Sequence, residues 1–207
     1  MGNKKLSSLV LLSLSSALVL AACGGEGSTA DSSESAGANG SDQVLNLIES
    51  AEIPTMDSVQ ATDTVAFTAL SNVNEGLYRQ GLDGTVELGI AAEDPTVSED
   101  GLVYTFTIRD EANWSNGEPV TAADFVYSWR KLVDPASAAS YSYMMDGVIA
   151  NATEIMAGEV APEELGVKAI DEKTLEITLT SPVPYFKDLL TLAMFFPQNQ
   201  AFVEEQG

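Results

Sequence analysis

Apolar and polar positions alternate most clearly before Arg109, where Leu102, Tyr104, Phe106 and Ile108 interleave with Val103, Thr105, Thr107 and Arg109. That period of two predicts a strand with one buried face. Ser115-Asn116-Gly117 ends the run with residues that tolerate the positive φ of a tight turn, and Pro119 suits the extended backbone after it. A helix is expected next. Thr121 can cap it, Asp124 stands three residues on as a short-armed capping box, and Phe125, Trp129 and Leu132 share one face at i, i+4 and i+7. Arg130 and Lys131 favour its negative end, and Asp134-Pro135 stops it.

Elsewhere the same reading gives shorter elements. Val44 to Ile48 reads as a strand with apolar residues on both faces, and from about Val65 to Tyr78 the residues Phe67, Leu70, Val73, Asn74 and Leu77 recur at helical spacing. Asp83-Gly84 signals a hairpin between Leu82 and Val86-Glu87-Leu88. Tyr143, Met144 and Met145 form a helical face, a further helix spans Ile149 to Met156, and Pro162 to Leu165 makes a short turn. Val167 to Ile170 and Leu175 to Leu179 read as a hairpin with Leu175, Ile177 and Leu179 inward. A last helix follows Pro182-Val183-Pro184, with Phe186, Leu189, Leu190 and Ala193 on its apolar face.

The first 22 residues stand apart from this pattern. Lys4 and Lys5 precede an apolar run from Leu6 to Leu20 that only Ser interrupts, which predicts a secretory leader over 1–22. The run is shorter than the roughly 20 residues a membrane-spanning helix needs. Its ending, Leu20-Ala21-Ala22-Cys23, resembles a bacterial lipobox, in which Cys23 takes a diacylglyceryl thioether and becomes the first mature residue. Two acyl chains on one terminus suffice for stable anchoring. Apart from Cys23, Thr29 and Asn39, residues 23–42 are Gly, Ser, Ala and acids without a large apolar side chain, so they are expected to be a lipidated, disordered tether.

Composition narrows the function. The chain holds 9 Lys and Arg against 31 Asp and Glu, a net charge of −22, and loss of Lys4 and Lys5 with the leader makes it more negative still. Nucleic acid is thereby excluded as a partner, because binding phosphates needs basic patches. Hydrophobic residues at 45% indicate a globular remainder. Cys23 is the only cysteine, so neither a disulfide within the chain nor a cysteine-based metal site can form. Histidine is absent, no phosphate-cradling glycine loop appears, and pairs such as Glu163-Glu164 and Glu204-Glu205 read as solvated surface rather than an acid–base couple. Enzyme chemistry, metal and cofactor are not expected.

The order Tyr104-Thr105-Phe106-Thr107-Ile108-Arg109, Trp114-Ser115-Asn116-Gly117, Glu118-Pro119-Val120-Thr121-Ala122, Asp124-Phe125-Val126-Tyr127-Ser128-Trp129 and Asp134-Pro135 resembles the signature of the family 5 solute-binding proteins. Asn74-Glu75-Gly76-Leu77-Tyr78, Leu165 to Asp171 and Pro182 to Phe186 extend the likeness, which runs from Gln43 to Phe202 and lies closest to the oligopeptide branch. Pro95 stands where the family carries Trp, and Ser58 where it carries Pro.

The resemblance implies a mixed α/β, two-lobe fold of the type II periplasmic-binding-protein class, here an amino-terminal part of a chain well over twice as long. Residues 43–75 would begin the first lobe, 76–195 form a second, inserted lobe, and 196–207 return toward the first. It further implies a membrane-anchored extracellular receptor, bound to the cell membrane through Cys23, that captures oligopeptides and hands them to ABC permease subunits. Ala61, Thr62, Asp63 and Thr64, with Val65 after them, would line the cleft from the first lobe, and Tyr141 would contact the ligand from the second. Thr62 replaces an acid of the relatives, and Tyr141 is open to a packing role instead. Alternatives within the fold are a peptide-pheromone, signalling or adhesion lipoprotein and a nickel- or haem-binding member.

Overall fold

The computed structural model describes residues 46–206. The leader, the tether and Cys23 lie outside the described residues, as do Val44 and Leu45.

Helix α1 (Thr64–Val73) begins where Asp63 accepts the N–H of Ala66 at its side chain, and a hairpin of β1 (Tyr78–Gln80) and β2 (Val86–Leu88) follows. Gly84 turns that hairpin at φ +80°, a conformation that favours glycine. The main sheet has the order β3 (Thr96–Val97), β4 (Val103–Thr107), β6 (Thr174–Thr178), β5 (Val167–Ala169), and each neighbouring pair is antiparallel. Phe106 faces Leu175 and Tyr104 faces Ile177 across its centre. Between β4 and β5 the chain forms α2 (Ala122–Val133), which packs on β5 and β6, then α3 (Ala152–Met156). After β6 come α4 (Phe186–Leu189) and α5 (Gln200–Gln206).

The expected alternation holds at Phe106 and Ile108, while Leu102 and Tyr104 are only half-buried, as are Val103 and Thr105 between them. Phe106, Ile108, Phe125, Trp129, Leu132, Leu175, Ile177 and Leu179 are all buried. Asp124 accepts the N–H and the hydroxyl of Thr121 at 2.8 and 2.9 Å, which fixes the start of α2, and Asp134 ends it with extended backbone. Gly117 adopts φ +88° and closes the turn onto the Trp114 carbonyl at 2.9 Å.

Four expectations are corrected. Residues 46–48 form no strand: they are irregular and exposed, with no partner among the described residues. The helix expected to reach Tyr78 stops at Val73, because Asn74 turns extended and the carbonyls of Gly76 and Leu77 accept from Ile90 and Gly89 in the hairpin. Ile149 pairs with Leu179 in an isolated bridge rather than joining a helix, and Asn151 at φ +66° separates it from α3. The last helix is cut to α4, and Ala193–Phe195 forms a separate 3-10 turn, as Ser142–Met145 does earlier.

Candidate functional site

The stretch before α1 is a compact turn that aims its neighbours. Ala61 donates its N–H to the Asp57 carbonyl at 2.9 Å, Val59 donates to the Asp57 carboxylate at 2.9 Å, and Asp63 then caps α1. These bonds sort the expected contact residues. Ala61 and Val65 are buried, Asp63 is half-buried and engaged by the helix, and Thr62 and Thr64 are exposed. Ala61 joins Ala66, Leu70, Ala193 and Phe196 in a small apolar cluster, so what this segment can present is backbone and two threonines. Among the described residues neither the N–H of Thr62 nor the carbonyl of Ala61 has a hydrogen-bond partner.

Tyr141 lies beside this segment. Gln60 donates its side-chain amide to the Ser137 carbonyl at 2.8 Å, which ties the turn to the 3-10 turn Pro135–Ser137. Ala138 follows at φ +48° and redirects the chain. The half-buried Tyr141 ring then sits with its centroid 5.8 Å from that of Phe67 on α1 and 5.9 Å from that of Tyr143. Gln60 and Phe67, which flank residues 61–65, thus both reach the stretch from Ser137 to Tyr141. Sequence reasoning missed Gln60 and Phe67 as the links between them; Phe67 was legible only as one position on a helical face.

A polar junction supports the turn from behind. Lys131 of α2 meets the Asp57 carboxylate at 2.8 Å, and Gln198 donates to Asp57 at 2.6 Å and to the Ser58 hydroxyl at 3.1 Å. Burial pushes the Asp57 carboxyl up, but the Lys131, Gln198 and Val59 donors together with the Lys131 charge outweigh it and hold the group below its usual range. Ser128 and Trp129 donate to the carbonyls of Phe196 and Phe195 at 2.7 and 2.9 Å and fix the chain just before Gln198.

Other polar clusters have structural work. The buried Tyr78 hydroxyl donates to Asp94 at 2.8 Å and Lys187 pairs with Asp94 at 2.6 Å, which holds that carboxyl below its usual range. No group of metal-ligating side chains forms among the described residues. Two open depressions, one beside Arg109 to Glu111 and one along the outer face of α2, include neither residues 61–65 nor Tyr141.

A family model described as bacterial extracellular solute-binding proteins, family 5 Middle, matches residues 85–206. The chain belongs to this family. Its members are binding proteins rather than enzymes, and the fold is that of the type II periplasmic binding proteins over the part described here. The oligopeptide-binding protein OppA of Bacillus subtilis is 37% identical over 202 residues, which cover 98% of this chain and 36% of that protein. Among solved structures, Listeria monocytogenes OppA bound to peptide superposes with a TM-score of 0.76 at 50% identity, over 79% of this chain and 32% of that one. The pheromone receptor PrgZ, from a structure that describes its mode of peptide binding, gives a TM-score of 0.71 at 44% identity, over 73% of this chain and 30% of its own. The chain spans about a third of the length of the curated relatives it matches.

Proposed function

We propose that this family 5 protein is the peptide-capturing component of an ABC importer, held at the outer face of the cell membrane by a lipid on Cys23. The observation that carries the peptide reading is the half-buried Tyr141 ring packed on Phe67 of α1, with the N–H of exposed Thr62, unpaired among the described residues, in the turn before that helix. An extended peptide offers the backbone groups that such a segment lacks, as in strand addition, and hydrated pockets then tolerate varied side chains. Selectivity for length and backbone follows, with tolerance of sequence.

In this reading residues 43–75 and 196–207 belong to a first lobe and 76–195 to a second, and the lobes close on the ligand. The two passages between them run side by side, which supports the assignment. A Cβ on Gly76 would come within 2.7 Å of the Phe196 ring, so glycine permits their close approach. Closure excludes water from the peptide's hydrogen bonds and delivers the loaded form to the permease.

Calorimetric titration of the full-length protein with tri- to pentapeptides tests the reading. Micromolar or tighter binding is expected, weakened by about 1 to 2 kcal/mol in Tyr141→Ala if ring and hydroxyl both meet the ligand. Absence of binding to every peptide overturns the function, and unchanged affinity in a folded variant makes Tyr141 a packing residue. For the anchor, metabolic fatty-acid labelling should be lost in Cys23→Ala; label retained there removes the lipoprotein assignment. The likeness to a pheromone receptor favours one second reading, in which the captured peptide is a signal. Peptide uptake that persists after deletion of this gene would support it over import.

A further inference from the structure

We infer that Tyr143 forms an aromatic subsite that selects an aromatic side chain at one position of the bound ligand. The inference rests on the peptide reading and adds a sequence preference to it. Phe67, Tyr141 and Tyr143 form a row with centroid spacings of 5.8 and 5.9 Å and interplanar angles of 59° and 40°. The row starts at the core, where Phe67 and Tyr141 pack against buried residues, and ends at Tyr143, which is 59% exposed. A single exposed tyrosine is ordinary. One that ends a tilted row passing through a candidate contact residue is a surface with an open next place.

The mounting is rigid. Tyr143 sits on the 3-10 turn Ser142–Met145, whose Met145 is fully buried, and the carbonyls of Tyr141 and Tyr143 accept from Met144 and Asp146 at 3.0 and 3.1 Å. Buried Met145 and exposed Tyr143 point apart, so the core fixes the direction of the ring. Among the described residues neither the Tyr141 nor the Tyr143 hydroxyl has a hydrogen-bond partner, and no cation covers either ring. A fourth ring can therefore continue the row at the tilted or offset spacing that aromatic pairs prefer. An aliphatic side chain would gain only buried area there, and a small one almost nothing.

The test uses the full-length protein, trialanine and the three tripeptides that carry a single Phe. One of the Phe peptides should bind the wild type about five- to tenfold more tightly than trialanine. That gain should vanish in Tyr143→Ala, fall by more than half in Tyr143→Leu and survive in Tyr143→Phe, while trialanine affinity stays within about twofold throughout. The leucine variant keeps an apolar side chain without a ring and guards against misfolding in the alanine variant. Peptide binding with no preference for Phe, or a preference that persists in both ring-less variants, overturns the subsite alone. A wild type that binds no tri- to pentapeptide overturns the peptide reading and the subsite with it, and one that binds only the longer peptides is tested with tetra- and pentaalanine carrying a single Phe, read in the same way.

Discussion

Lys131 joins two stretches far from it in sequence: its ammonium reaches Asp57, 74 positions earlier, and Gln198, 67 positions later. From the sequence it reads only as a cation suited to the end of α2, because nothing local names a distant partner. Its removal should be felt at the turn that carries residues 61–65. Lys131→Met leaves a partly buried carboxylate with Gln198 and the Val59 N–H as remaining donors, and should cost about 1 to 3 kcal/mol at pH 7. The pH dependence fixes the cause. A carboxyl held below its usual range contributes stability that is present above the unfolded value of 3.8 and is lost as pH falls through the folded value. Urea unfolding of wild type and variant should therefore show a gap that narrows from pH 7 to pH 3. A constant gap would mean that the Lys131 stem, rather than its charge, stabilises the junction.

At the scale of elements, legibility follows the range of the bonds that decide each one. The Thr121–Asp124 box, the Gly84 and Gly117 turns and the hairpin before Leu179 close within a few residues, and the spacing of residues was enough to place them. Boundaries decided from afar were not. Leu192 turns extended between α4 and the Ala193–Phe195 turn, and the carbonyls of Phe195 and Phe196 are held there by donors from Trp129 and Ser128. Ile149 has the period of a helix but gains a strand neighbour in Leu179, and Gly76 and Leu77 are drawn into the hairpin by Gly89 and Ile90. The candidate site divides the same way. Residues 61–65 and Tyr141 came from resemblance, whereas Gln60, Phe67 and Tyr143, which link and extend them, carry no local signature that separates them from ordinary surface and core positions.

At the scale of the molecule, the stretch from Leu47 onward forms one compact unit by its contacts, yet its apolar exposure is uneven. Leu47, Ile48, Ile53, Met56, Val73 and Phe202 are exposed in the short segments assigned above to the first lobe, whereas Leu82, Leu88, Val97, Tyr143, Val160, Ile170 and Tyr185 are the exposed ones in the roughly threefold longer second-lobe stretch. The second-lobe segments instead hold the sheet, α2 and nearly all of the larger buried cluster. If peptide is gripped between two lobes, the surface that carries Tyr141 and Tyr143 cannot exclude water from the ligand's other side, and hydrogen bonds open to solvent add little net affinity. Residues 24–207 expressed alone should therefore fold around β4, β6 and α2, with hydrogen exchange slowest there and fastest before Asp57. The same polypeptide should bind tri- to pentapeptides at least about a hundredfold more weakly than the full-length protein, a loss of roughly 2.7 kcal/mol or more. Exchange and calorimetry on one sample separate the two claims: protection without binding is the expected result, and micromolar binding by this stretch alone would show that the contacts needed for capture are already complete on the face that joins α1 to Tyr141.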